Sequence, residues 1–202
     1  MINLYSKQVI SSTDPYLWMN AAEVTFLRAE GALRGWDMGG DAQALYEKAI
    51  ALSFEERGVT TGADRYVKDT EKKPIDYVNP MDGADIKYSH SAVSTITIAW
   101  EPGAENFERN LERIITQKWI AMFPLGIEAW CEHRRTGYPK FLPIMDNKGV
   151  GITNLTLGIR RLSYPAEEYQ LNAENMLGAL RKLNGEDNGA TRLWWDCNPN
   201  VK

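Results

Sequence analysis

Residues 16–58 read YLWMNAAEVTFLRAEGALRGWDMGGDAQALYEKAIALSFEERG, and the spacing of their apolar side chains decides the fold. From Tyr16 to Arg34 the period is helical: Trp18, Ala22, Phe26, Ala29 and Leu33 recur at intervals of three and four on one stripe. Asn20, Glu23, Glu30 and Arg34 fall opposite, on the expected solvent face. Asp14, ahead of Pro15, is a candidate cap for this helix. Gly35 stops it, and Met38-Gly39-Gly40 makes a short turn. Asp41 then caps a second helix that runs to about Arg57, with Ala42, Leu45, Tyr46, Ala49 and Ser53 as its stripe. Gly58 occupies the left-handed position after it.

Two amphipathic helices joined by a short link form an antiparallel hairpin. Alanines at 22, 29, 42 and 49 let the two backbones approach closely, as in a tetratricopeptide unit. No repeat at that period recurs along the chain. Outward from the hairpin, residues 59–103 differ in kind. Gly62, Pro74, Pro80, Gly83, Pro102 and Gly103 interrupt them, and only short pieces such as Ala92 to Trp100 (AVSTITIAW) look β-like. Ordered loops of this length are usually functional. Helices are expected again near 104–123, ended by Pro124, near 125–136, ended by Gly137-Tyr138-Pro139, and near 165–183. The last opens on Pro165 with Glu167 and Glu168 in its first turn. Residues 140–163 read as loop with a short strand at most. The expected fold is a single domain over 1–202, mainly α, with tetratricopeptide-like hairpins, long irregular loops and little β structure.

The 202 residues carry 44% hydrophobic side chains, enough to fill a core, and a net charge of −4. Basic residues are scattered rather than concentrated, which argues against nucleic acid as a partner, because neutralising phosphates dominates that kind of affinity. Neither a signal peptide nor a membrane-spanning run is visible, so an anchor is expected to lie outside this chain. Cys131 and Cys197 read as two reduced, partly buried thiols; their spacing leaves a disulfide open. Seven Trp and nine Tyr are the unusual feature. Their rings offer a flat apolar face and a polar edge, suited to cores and to the C–H faces of sugars alike.

Tyr66, Tyr77, Tyr88 and Trp100, spread through 59–103, are the candidate ligand-binding residues, with Trp36 beside its glycine-rich turn. Glu128 with Lys118, Arg134 or Arg135 suggests an acid–base set, but basic neighbours would keep Glu128 ionised. A partly buried salt-bridge network between two helices is the preferred reading. Trp119 and Trp130 are expected in the core, and Trp194 and Trp195 are expected to pin the C-terminus, at most one of them facing a ligand. The run Asn79-Pro80-Met81-Asp82-Gly83-Ala84-Asp85 hints at calcium, yet lacks the spacing and terminal Glu of an EF-hand, so a solvated turn is preferred. His90 and His133 are too far apart in sequence to argue a metal or catalytic pair, and Asn154-Leu155-Thr156 is a chance sequon. No catalytic residue, metal or cofactor is expected.

Three segments together resemble the SusD/RagB family, in its SusD-like branch. The first is Glu23-Val24-Thr25-Phe26-Leu27-Arg28-Ala29-Glu30-Gly31 followed by Arg34-Gly35-Trp36. The second and most specific joins Ile115-Thr116-Gln117-Lys118-Trp119 to Phe123, Gly126, Glu128-Ala129-Trp130 and Arg134-Arg135-Thr136-Gly137-Tyr138-Pro139. The third is Arg160-Arg161-Leu162-Ser163-Tyr164-Pro165 with Glu168 and Asn172, closed by Trp194-Trp195-Asp196. The resemblance covers nearly the whole chain, as the C-terminal portion of a family protein. It implies a surface-exposed outer-membrane lipoprotein of Bacteroidetes-type bacteria, with tetratricopeptide-like units. Such proteins sit as a lid on a SusC-like TonB-dependent transporter and pass glycans, or in some relatives peptides, to it. No ligand contact is carried over, because the family's binding loops match no motif here.

The function expected on this basis is non-catalytic glycan binding. One competitor is a helical-repeat scaffold that binds a protein or peptide in its groove. Another is a helical glycoside hydrolase or lyase, which would need two facing carboxyls about 5 to 9.5 Å apart.

Overall fold

The first helix begins where a side chain satisfies its free amides. In the computed structural model Asn20 is extended (φ −119, ψ 164) and its Oδ1 accepts the Glu23 N–H at 2.6 Å, so α1 spans Ala21–Leu33. The apolar period from Tyr16 overshoots this start. Trp18 lies outside the helix, 84% exposed, and Asp14 closes a local turn by accepting the Ser11 N–H instead of capping α1. At the other end Gly35 (φ 83) lets its own N–H reach the Ala32 carbonyl and the Trp36 N–H reach Gly31. The second helix, α2 (Ala42–Glu56), starts on Asp41, whose Oδ1 accepts the Ala44 N–H at 3.0 Å, and ends on the same motif at Gly58.

The structure describes residues 10–80, 88–145, 147–149, 151 and 158–198. The chain divides into two compact units, Met1–Ala129 and Trp130–Lys202. The first holds α1, α2, a short α3 (Ala63–Tyr66), a 3-10 turn (Ala104–Asn106) and α4 (Phe107–Ala121). α5 (Gly126–Thr136) begins in the first unit and continues in the second, which also contains α6 (Ala166–Leu171) and α7 (Ala173–Leu183). Among the described residues the only β pairing is one bridge, Tyr77 to His90, closed by two hydrogen bonds of 2.9 Å. The fold is mainly α, as the sequence implies.

In the first unit α1 packs against α2 and also against α4. Phe26, Tyr46, Ile114 and Ile115 are fully buried between them, with Phe26 edge-on to Tyr46 at 6.3 Å. Contact with two helices explains why Asn20, Glu23 and Glu30, expected on the solvent face, are buried. A helix with two neighbours has more than one inward stripe. Glu30 keeps its charge there by pairing with Arg34 at 2.8 Å. Arg57, beyond α2, donates to the carbonyls of Ala121 (3.0 Å) and Phe123, tying the end of α2 to the end of α4.

The β-like piece 92–100 forms no strand pair. Helix side chains take up its polar groups instead. Arg113 Nε donates to the Thr97 carbonyl (3.0 Å), Tyr46 Oη to Ile98 (2.7 Å) and Asn110 Nδ2 to Glu101 (2.7 Å). Glu101 accepts two hydrogen bonds from Arg109 (2.6 and 2.8 Å) and one from Arg113 (2.6 Å). Period-two patterning at Ser94 and Ile96, both buried, therefore reports an extended segment lying on α4.

The second unit has a small apolar interior, and two consecutive arginines organise it. Arg160 and Asp196, each about 2% exposed as side chains, form a two-point pair at 2.8 and 2.6 Å. Arg161 pairs with Asp187, which also accepts the Tyr164 N–H and the Tyr169 hydroxyl. Where one helix is expected over 165–183, Asn172 divides it. Its backbone leaves the helix (φ −139, ψ 35) and its side chain bonds Glu168 at 2.9 Å and Asn175 at 2.7 Å. Cys131 and Cys197 are free and exposed, rather than partly buried.

The Glu101 clamp has a measurable signature. Hydrogen bonds from Arg109, opposed by burial and reinforced by Arg113, hold its carboxyl at about 2, below the ordinary 4.5. A carboxylate depressed in this way stabilises the fold fully above pH 4.5, and the contribution fades as pH falls towards about 2. Glu101→Gln should cost about 3 kcal/mol at neutral pH, because Arg113 is left buried without its anion. In urea unfolding at a series of pH values, the gap between the two proteins should narrow below pH 4.5.

Candidate functional site

The five aromatic residues singled out as ligand-binding all lie in the first unit, and they divide by what holds them. Trp100 is half-buried against Tyr46, ring centroids 5.6 Å apart. Tyr66 packs on Phe54 at 5.4 Å, and its hydroxyl meets Gln117 at 3.2 Å. Both are fastened to the helical core. Burial also pushes the Tyr46 hydroxyl, which donates to Ile98, far above the ordinary tyrosine range, so it remains a donor.

Tyr77 and Tyr88 are more open, 40% and 41% exposed. The bridge between Tyr77 and His90 brings their stretches side by side, and the Asn79 N–H donates to Ser89 Oγ at 2.9 Å. Trp36 stands apart, 64% exposed, after the turn that ends α1. It lies over Gly31, where an added Cβ would come within 3.3 Å of the indole and 2.8 Å of Met38. Arg28 fixes the same turn with two hydrogen bonds to the Met38 carbonyl, at 3.0 and 2.7 Å.

Carboxylates also line the first unit's surface. A groove of about 810 Å³ beside α2 and α3 carries Glu47, Glu55 and Asp64 over Phe54 and Val67. Acceptors of this type suit the hydroxyl protons of a polyol. Residues 81–85 of the suggested calcium turn, and the Asn154 sequon, lie outside the described residues. Among the described residues no group of three or more His, Cys, Asp or Glu is placed to hold a metal ion.

The charged motif around α5 is built differently from expectation. Glu128 sits exposed in the first turn of α5, where the helix dipole favours a carboxylate, and makes no ion pair among the described residues. Glu132 pairs with Arg135 at 2.6 Å, within α5 itself rather than between two helices. Lys118 is buried on α4, whereas Trp119, expected in the core, is 38% exposed. Trp130 is half-buried; it donates to the Ile159 carbonyl at 3.0 Å and stacks on Arg134, which also lies over Trp195. His133 Nδ1 lies 3.1 Å from the Pro139 carbonyl, and burial lowers its pKa, so it is neutral at neutral pH.

The family described as Susd and RagB outer membrane lipoprotein matches residues 1–196. The chain belongs to the SusD/RagB family. A SusD homologue of Bacteroides thetaiotaomicron VPI-5482 is 47% identical with a TM-score of 0.87, over 96% of this chain and 41% of that one. A chitin-binding SusD homologue from Flavobacterium johnsoniae is 48% identical with a TM-score of 0.81, over 90% and 37%. A SusD homologue of Bacteroides uniformis ATCC 8492 is 48% identical with a TM-score of 0.85, over 96% and 40%. The chain spans about two-fifths of the length of these SusD relatives. No curated protein matches it.

Two exposed tryptophans of this SusD-like chain stand outside the candidate set: Trp18, read as part of a helix stripe, and Trp194, read with Trp195 as pinning the C-terminus with at most one facing a ligand. Trp194 is 89% exposed and borders a concavity with Tyr164, Lys182 and Arg192. Its signal in the sequence is the pair of consecutive tryptophans, only one of which can face inward.

The division between fastened and open aromatics predicts unequal costs. Trp100→Ala should destabilise the chain by about 2–4 kcal/mol, because it removes packing against Tyr46. Trp36→Ala should change stability by less than about 1 kcal/mol. Urea titration of both variants checks this, and equal losses would contradict it.

Proposed function

We propose that this chain forms the C-terminal part of a cell-surface nutrient-binding protein. It captures glycans without chemistry of its own and passes them to a SusC-like TonB-dependent transporter. The observation that carries the reading is the match to the SusD/RagB family over residues 1–196. The 48% identity to a relative described as chitin-binding supports a glycan as the ligand. The family's description as outer-membrane lipoproteins supports a place on the cell surface. Among the described residues no helix is long and apolar enough to cross a membrane.

In this reading Tyr77 and Tyr88 supply the accessible ring faces, with Trp36 as a separate platform. Trp100 and Tyr66 act from behind, fixing the segment on Tyr46 and Gln117. Sugars bind such surfaces by resting C–H faces on rings while hydroxyls bond nearby carboxylates and amides. Hydroxyls give up good hydration to make these contacts, so affinity per site is modest and several contacts along one chain do the selecting. The Glu101 carboxyl, held at about 2 and engaged by two arginines, is ionised at neutral pH and is no proton donor.

The test is a glycan-array and calorimetric screen of this chain beside the Flavobacterium johnsoniae relative, chitooligosaccharides included. Binding without release of shorter products is expected. Tyr77→Ala with Tyr88→Ala should weaken it at least tenfold while the fold is retained. Undiminished binding after Tyr77, Tyr88 and Trp100 are all replaced by Ala would move the site elsewhere, and sugar cleavage would replace the capture role with an enzymatic one.

A further inference from the structure

The second unit carries a concavity of about 480 Å³ at the C-terminal end of α7, lined by Tyr164, Lys182, Asn184, Arg192 and Trp194 among others. Its lining is positive. The chain as a whole is net −4, and the groove beside α2 carries three carboxylates. The lining of this one includes two cations and no carboxylate.

The neighbouring carboxylates are already committed. Both oxygens of Asp196 are taken by Arg160, at 2.8 and 2.6 Å. Asp187 accepts from Arg161, the Tyr164 N–H and the Tyr169 hydroxyl. Arg192 is left with one long hydrogen bond, from NH1 to the Asp196 carbonyl at 3.4 Å, and its NH2 is buried with no acceptor among the described residues. Lys182 is exposed, and neither it nor Arg192 forms an ion pair among the described residues. The end of α7 offsets part of this charge. A helix C-terminus carries roughly half a negative charge, against two full positive ones, so the site remains positive.

The aromatic component is placed by a turn. The Asp196 N–H reaches the Leu193 carbonyl at 2.9 Å, which closes residues 193–196. Trp195 then lies against the Arg134 guanidinium at 4.8 Å, while Trp194 projects at the corner, 89% exposed. A tryptophan left this open provides no packing to the fold. Beside two uncompensated cations it offers a ring face next to positive charge.

We infer that this concavity is a subsite for anionic sugar units, residues that present a pyranose C–H face to Trp194 and a carboxylate or sulfate to Lys182 and Arg192. Arginine's planar fork suits such oxyanions, lysine supplies a mobile charge, and Asn184 lies within reach of hydroxyls. The inference rests on the glycan-capture reading, and adds a ligand class that the acidic groove beside α2 would repel.

The experiment measures binding to this chain, by calorimetry, of hexagalacturonate, its methyl ester and a sulfated oligosaccharide of equal length. A neutral chitooligosaccharide serves as the comparison. Binding of hexagalacturonate or of the sulfated oligomer, but not of the ester, is expected, and the two charged arms tell carboxylate from sulfate. Lys182→Gln with Arg192→Gln should weaken the charged ligand at least tenfold, as should Trp194→Ala alone. Raising salt from about 50 to about 300 mM should weaken it severalfold. Lys182→Gln alone and Trp194→Ala change exposed side chains, so both test the site even if the Arg192 variant fails to fold. Anionic binding that survives both, binding of the ester as tight as the acid, or no anionic binding at all would overturn the inference. Neutral binding lost only in the Tyr77 and Tyr88 variants bears on the other site, so the two can fail separately.

Discussion

The first unit depends on a guanidinium that has no route to water. Arg113 is fully buried on α4 and needs an anion; Glu101 supplies one, at 2.6 Å. That requirement draws the end of a long irregular stretch onto the helix bundle. Arg109 holds the far side of the same carboxylate, and Asn110 bonds both the N–H and the carbonyl of Glu101. Trp100 is thereby set against Tyr46, and Tyr46 in turn reaches the Ile98 carbonyl. One ion pair thus connects the hydrophobic core to the segment that carries the candidate sugar platforms.

The second unit applies the same chemistry with less apolar support. Arg160 and Arg161 are consecutive, and each meets its own aspartate from the 187–196 stretch. A loop and a tail are joined by two-point electrostatics that fix orientation as well as distance. Such pairs add little net stability once desolvation is counted, but they discriminate strongly against misplaced partners. Both carboxylate oxygens of Asp196 are taken by Arg160, so Arg192 meets only the main-chain carbonyl of Asp196 and no carboxylate.

The helices were legible because their causes are local. Asp41, Gly35 and Gly58 do what their residue types do at helix ends, and the three-four spacing of Phe26, Ala29, Tyr46 and Ala49 marks buried faces. Errors arose where a tertiary partner decides. Asn20 outcompetes Asp14 as a cap, and α4 buries a second face of α1. Asn172 breaks a pattern whose apolar period runs on through it. Glu128 and Glu132 are one helical turn apart and chemically alike, so spacing alone could not say which would be paired. The aromatic content of 59–103 was plain in the sequence. Which rings are open was not, because Gln117 and Tyr46 lie far along the chain from Tyr66 and Trp100.

The grip of α4 on residues 97–101 has a consequence for how such a surface can diversify. Arg113, Tyr46 and Asn110 bind the carbonyls of Thr97, Ile98 and Glu101, groups that every residue type provides. The Glu101 carboxylate, the Trp100 ring, the buried Ser94 and Ile96 and, at 3.4 Å, the Thr97 hydroxyl are held by their side chains. Side chains at 95 and 98 can therefore be exchanged with almost no loss of anchoring bonds, the 3.4 Å contact of Arg109 with Thr95 excepted. A helical frame that fastens backbone rather than side chains can hold one loop path through many loop sequences. The chemistry displayed to a ligand is then free to drift while the architecture beneath it stays constant.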